Sequence, residues 1–276
     1  MGQTPSTQKV LSGKEFNAHC VQNGLKLYKA LHSNMTHYKF RYQIGLNCLR
    51  DHFNPYGECE PGGLYFADQH HIFRWLNTGS HLATVTIPDD AQVCFQKDKY
   101  KADKMIISPP EHIDGLLMKK LVQDGADINV DNGLCLYENV VNGEVFRVRH
   151  LLEAGARQLK CVYPHEGEGG MYPLSRVLLF MDFDDIMTLL LDHLSDKDPR
   201  ETEIDNALLF GLVYRDKWTH VSHLLSKVKF DIRACVMKWK QKTRLFTLTE
   251  KQYDQLLSLA DGDNVPSTEL TSFLHQ

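Results

Sequence analysis

The chain has 276 residues, 42% of them hydrophobic and 24% charged, with a formal net charge of −4 at neutral pH. That length accommodates two ordinary domains, and the apolar fraction is too high for a disordered chain. Acids and bases are interleaved, with no long basic run to neutralise phosphates, so nucleic acid is not an expected partner.

The seven cysteines, at positions 20, 48, 59, 94, 135, 161 and 235, are odd in number and include no C-x-x-C pair. That spacing suits neither a disulfide scaffold nor a zinc cluster, and no apolar secretory segment leads the chain. A reducing compartment is expected, with no metal and no other cofactor. The longest apolar runs, such as Val177 to Met181, are far too short to span a bilayer as a helix.

Residues 1–23 read as a flexible N-terminal segment. Met1-Gly2-Gln3-Thr4-Pro5-Ser6 fits M-G-x-x-x-[ST], the acceptor pattern for N-myristoylation on Gly2. The alternative is an ordinary polar tail. One myristoyl chain attaches a protein only marginally, and Lys9 and Lys14 are too few to form a polybasic patch. Any membrane contact through Gly2 would therefore be peripheral and reversible.

Residues 24–108 read as a small α+β domain. Leu25 to Leu31 alternates as a half-buried strand, and Tyr38 to Tyr42 alternates again. A turn cluster at Phe53 to Gly57 leads to a glycine-led strand, Gly62 to Asp68. A short amphipathic helix follows at His70 to Leu76, then strands at His81 to Ile87, Ala91 to Phe95 and Lys104 to Ile107. Cys59 with His52, or with His70 and His71, could suggest thiol or metal chemistry. Adjacent histidines, however, diverge on a helix or strand and rarely ligate one ion, so no metal site is assigned.

From residue 109 to 246 the pattern changes to helical spacing. Leu116 to Val122 ends in Gly125, and Val148 to Leu152 ends in Gly155, 30 residues later. Ile186 to His193 is a third copy and Val221 to Lys227 a fourth, with Leu224 following Leu190 by 34 residues. Each copy carries apolar residues at i, i+3 and i+4, a stripe that one helix pair cannot bury alone. The glycines end their helices in a left-handed conformation that a Cβ would disfavour. Inner helices precede these at Leu134 to Val141, Tyr172 to Leu178 and Ala207 to Val213. Val162 to Met171 is a Gly/Glu-rich insertion. The last stretch, 247–276, reads as a capping helix and tail. Thr249-Glu250-Lys251-Gln252 looks like a capping box, Tyr253, Leu256, Leu257 and Ala260 form one stripe, and Gly262 ends it.

Gly125-Ala126-Asp127-Ile128-Asn129 resembles the G-A-D-x-N exit of an ankyrin repeat, and Asn142-Gly143-Glu144 resembles the turn between ankyrin helices. Tyr172-Pro173-Leu174-Ser175 resembles the T-P-L-H opening, which is nowhere complete. The N-terminal half, with F-x-Y-x-x-G-L-N from Phe40 and F-N-P-x-G-x-C-x-P-G-G-L-Y-F-A-D from Phe53, is similar to a domain that precedes ankyrin repeats in proteins of large DNA viruses. Gly63 to Asp68 also looks like the G-I-Y-F-A-D segment of ADP-ribosyltransferases. That second resemblance implies NAD binding by Tyr28, Gly63 and Tyr65. Tyr28-Lys29-Ala30 nevertheless lacks the His-Gly or Arg-Gly of that family, and no Glu occurs between His81 and Ile107. In the plain structural reading, Tyr65 and Phe66 are core residues behind a tight Gly-Gly turn.

The expected architecture is an α+β N-terminal domain followed by an all-α ankyrin-type repeat stack of about four copies. The expected function is a viral protein-interaction or scaffold protein that holds a protein partner on the concave face of its repeats. It would act in the host cytoplasm or inside the virion, with the possible lipid tether at Gly2. No catalytic set of nucleophile, base and orienting group is visible. The alternative is a NAD-dependent mono-ADP-ribosyltransferase whose repeats select the target.

Overall fold

A computed structural model describes residues 9–37, 40–161, 172–194, 202–242 and 248–261. Gly2, Tyr38 and Lys39, the insertion from Val162 to Met171, Arg244, and the tail from Gly262 onward lie outside the described residues. The chain divides into two compact units, residues 1–173 and 174–276.

The first unit opens with strand β1 (Val10–Ser12) and helix α1 (Gly13–Asn23). These residues were expected to belong to a flexible lead, and the structure corrects that. Ser12 and Glu15 form a reciprocal capping box, the Ser12 hydroxyl accepting from the Glu15 amide and the Glu15 carboxylate from the Ser12 amide. Phe16, one residue on, is 0% exposed and meets the rings of Phe66 and Tyr100 at 5.9 and 5.1 Å between centroids. An apolar anchor set one residue behind a strong cap turns a polar stretch into a docked helix.

The strands that follow are β2 (Leu27–Leu31), the hairpin strands β3 (Thr36–His37) and β4 (Phe40–Arg41), β5 (Gly45–Cys48) and β6 (Leu64–Asp68). Helix α2 (Ile72–Trp75) and a 3-10 turn at Leu76–Thr78 come next. The sheet is completed by β7 (His81–Thr86), β8 (Gln92–Phe95), β9 (Tyr100–Ala102), β10 (Lys104–Ile107) and β11 (Glu111–His112). The main sheet is antiparallel in the order β1-β8-β9-β6-β2-β7-β10-β5, with β11 pairing β7 beside β10. Strand β2 was expected to be half buried, yet all five of its residues are buried. The cause is cover on both faces: α1 packs on one, while α2 contacts β2, β6 and helix α4 (Val130–Val141) on the other.

Helices α3 (Gly115–Gln123), α4 and α5 (Val145–Glu153) carry the first two apolar stripes read from the sequence. Gly125 and Gly155 stand at φ +92° and +99°, the left-handed helix ends anticipated for them. Met118, Leu121, Val148 and Leu151 are all buried. In α4 the residues Asp131, Asn132 and Gly133 are themselves left-handed, so the regular helix starts at Leu134, where the sequence placed it. These helices join the sheet through one polar seam. The Asn77 amide donates to Glu138 at 2.7 Å and its carbonyl accepts from Asn139 at 2.8 Å. Arg147 donates to the Gly79 carbonyl at 2.8 Å, and Arg74 binds both Asp98 and Asp131.

The second unit holds α6 (Pro173–Phe180), α7 (Asp184–Asp192), α8 (Thr202–Tyr214), α9 (Trp218–Lys227), α10 (Ile232–Lys242) and α11 (Glu250–Asp261). Its interior is aliphatic, built on Val177, Ile186, Leu190, Leu209, Leu212, Val221 and Leu224. The expected capping box is present: the Gln252 amide reaches the Thr249 hydroxyl at 3.2 Å, and the Gln252 side chain accepts from the Thr249 amide at 2.9 Å. The same Gln252 side chain donates to the Val213 carbonyl at 2.9 Å, which fastens α11 to the end of α8.

Candidate functional site

Of the residues singled out for chemistry, Tyr28, Cys59 and Tyr65 come together at the place where β2 and β6 part. These strands pair at Leu27↔Asp68 and Tyr28↔Ala67 and no further. Beyond that point a cleft, with about 560 Å³ of empty space that includes open solvent, is lined by residues that include Tyr28, Lys29, Tyr65, Trp75 and Lys99. The strand from Leu64 to Ala67 thus has one wall in the core, through Leu64 and Phe66, and one on an open pocket, through Tyr65.

Lys29 lies at the centre of this split. It is 3% exposed, its Nζ donates to the Tyr65 carbonyl at 2.7 Å, and it sits 4.6 Å from the centre of the Tyr42 ring. Burial pulls its ammonium down from 10.5 to about 7, because desolvation disfavours the charged form and no carboxylate offsets it. Lys99 is 8% exposed; its Nζ is 2.9 Å from the Cys59 sulfur and 4.0 Å from the Trp75 ring centre. The Tyr65 hydroxyl donates to the Glu60 carbonyl at 2.6 Å, and burial pushes it up to about 12.

A third lysine explains the glycine-rich loop in front of β6. Lys101 is 0% exposed, and its Nζ donates to the carbonyls of Pro61 and Tyr56 at 3.4 and 3.5 Å. The loop from Asn54 to Gly62 closes on itself, the Asn54 amide donating to the Gly62 carbonyl at 2.8 Å. A Cβ on Gly63 would stand 2.1 Å from Lys101 Cγ, so the glycine is the space through which the lysine stem passes. Gly63 therefore shapes the pocket wall from behind, while Tyr28 and Tyr65 line it. The lining includes no carboxylate among the described residues.

Several of the described histidines serve packing and local caps. His71 Nδ1 is 2.9 Å from the Asp68 carboxylate, which also accepts from the His70 and His71 amides and from the Tyr100 hydroxyl, the last at 2.6 Å. Cys59 lies against Lys99 rather than against His52, His70 or His71. His193 meets the Leu189 carbonyl, His220 the Thr188 hydroxyl, and His223 the Asp192 carboxylate. His150 fills the space left by Gly115. Among the described residues no group of three His, Cys, Asp or Glu is arranged to hold a metal ion.

A second surface lies on the helices of the first unit. Leu116 and Phe146 occupy the same position, the second residue, of α3 and α5, which pack against each other. They are 77% and 79% exposed. Leu116 belongs to the first apolar stripe read from the sequence and Phe146 precedes the second; both are exposed, while Leu117, Met118, Leu121, Val148, Leu151 and Leu152 are buried.

No family model matches the chain, and no solved structure matches it. Curated relatives do. One ankyrin repeat protein of Acanthamoeba polyphaga mimivirus is 30% identical over 137 residues, 47% of this chain and 41% of the relative. A second from the same virus is 31% identical over 134 residues, 45% of this chain and 62% of the relative. An uncharacterized protein of that virus is 32% identical over 136 residues, 46% of this chain but 99% of the relative. The chain spans less than two thirds of the length of the ankyrin relatives it matches. Helix pairs with a repeated apolar stripe, set behind an antiparallel sheet, define a repeat protein with a leading α+β domain. About half of the chain is thus similar to ankyrin-repeat proteins of a mimivirus, which supports a viral ankyrin-repeat protein.

Proposed function

We propose that this chain is an interaction protein whose repeats, residues 109–246, hold a protein partner. The observation that carries the reading is the pair Leu116 and Phe146, two large apolar side chains left in solvent at equivalent positions of consecutive repeats. Exposed apolar side chains in register along a repeat array add up to one contact surface, and central aromatic anchors dominate binding energy at such surfaces. Names of the mimivirus relatives support the same role. The partner lies across α3 and α5, with the apolar pair as its anchor. A myristoyl group on Gly2 would add a weak tether, suited to a protein held under a viral or host membrane by its partner as well as by lipid. Mass spectrometry of the mature N-terminus tests the tether.

The test of the main reading is affinity capture with the full chain, comparing wild type with the double variant Leu116→Glu/Phe146→Glu. Both sites are exposed, so the melting temperature should hold. Proteins retained by wild type and lost from the double variant support the reading; an unchanged retained set overturns it.

A further inference from the structure

Two lysines are buried in one pocket without a carboxylate. Lysines are almost never fully buried unless paired, and the usual partner is an acid. Here Lys29 has a backbone carbonyl and the Tyr42 ring, and Lys99 has the Cys59 sulfur and the Trp75 ring. Among the described residues neither forms a salt bridge, and Lys101 behind Tyr65 adds a third positive charge whose own donors are spent on loop carbonyls. Each of the two pocket ammoniums retains N–H donors beyond those its carbonyl or sulfur uses, since an ammonium carries three.

Most of the rest of the wall is apolar, with Ala30, Phe66, Ala67, Ile72 and Trp75, while His37, Cys59, Thr78 and the tyrosines Tyr28 and Tyr65 add polar atoms. A concave, mostly apolar site with a few convergent polar groups is the common form of a small-molecule pocket. Low-dielectric walls around unneutralised positive charge focus the field and select anions over cations. We propose that this pocket binds a small organic anion, a carboxylate or phosphate group carried on an apolar or aromatic body, with Lys29 and Lys99 receiving the anionic oxygens. The site is separate from the repeat surface, and it stands or falls independently of the interaction reading.

Protonation links to binding with a definite sign. Burial holds free Lys29 at about 7, and an anion beside it raises that value. Affinity therefore falls as pH rises through 7. The groups facing Lys29 do not titrate in that window in a way that mimics this. His37 is pulled down to about 4 by burial and by Lys29 itself, and Tyr42 and Tyr65 are pushed up by burial.

The experiment titrates the full chain with benzoate, phenyl phosphate, inorganic phosphate and the neutral benzamide, read by calorimetry and tryptophan fluorescence. Benzoate or phenyl phosphate should saturate, the stronger of the two assigning the anionic group, and benzamide should bind roughly tenfold more weakly or not at all. Lys29→Met and Lys99→Met should each weaken the anion by roughly tenfold or more, while Lys97→Met, on the exposed turn nearby, should not. Wild-type affinity should fall between pH 6 and pH 8, and Lys29→Met should abolish that fall. If Lys29→Met does not melt cooperatively, Lys99→Met carries the same decision. The proposal is overturned if neither organic anion saturates at millimolar concentration, if benzamide matches benzoate, or if a folded lysine variant binds like wild type.

Discussion

The Cβ that Gly63 lacks would lie 2.1 Å from Cγ of Lys101, and that clearance organises the whole loop in front of β6. Lys101 threads past the glycine to reach the carbonyls of Tyr56 and Pro61, with the Tyr65 ring 5.3 Å from its Nζ. The Pro-Gly-Gly motif is therefore a passage for a buried cation. Gly63→Ala should destabilise the protein by about 1–3 kcal/mol, the usual range for overpacking. In a Lys101→Ala background the same change should cost almost nothing, because the clash is gone. Urea unfolding of the four proteins measures the coupling, and additive effects would contradict the packing account.

Lys29 predicts an alkaline gain in stability. Its folded value is about 7 against an ordinary 10.5, so between those values the unfolded chain binds more protons than the native one. Stability attributable to this group is lowest below pH 7 and rises as pH climbs toward 10. The full shift corresponds to about 5 kcal/mol at most. Lys29→Met removes a buried charge and should flatten this part of the pH profile while raising stability at pH 7. Denaturant midpoints from pH 6.5 to 9.5 for both proteins provide the check; parallel curves would show that Lys29 is not the titrating group.

Helix α1 is part of the folded domain, and Phe16 is its anchor. Phe16→Ala should cost about 3–5 kcal/mol, the range for an aromatic side chain removed from a closed core. A loss under 1 kcal/mol in thermal or chemical unfolding would mean that α1 is only loosely attached.

How much of this could be read in the sequence depends on whether the signal was local. The repeats declared themselves because Gly125 and Gly155, and the stripes before them, recur at one spacing that local helix physics explains. The capping box at Thr249 was legible for the same reason. Ser12 and Glu15 offered an equal signal, with Phe16 and Cys20 one turn apart behind it. It was hidden in a segment of Lys14, Asn17, His19 and Gln22, whose polar faces mimic a solvated tail. Lys29 misled in a different way. Alternation in β2 marks one polar face, but both faces of the sheet are covered, so the lysine is buried. The pocket was the least legible feature. Tyr28 and Tyr65 were named as candidates, but Lys99, Trp75 and Cys59 come from three other segments, and only the sheet order brings them together.

The central claim, that the repeats hold a protein partner along the register of Leu116 and Phe146, is tested most directly by photo-crosslinking. A photoreactive aromatic residue at position 146 would be compared with one at Val21, which is 84% exposed on α1. In the protein's native cellular setting, position 146 should yield a discrete adduct that Leu116→Glu suppresses, and position 21 should not yield it. Adducts of equal yield at both positions, or none at 146, would contradict the account.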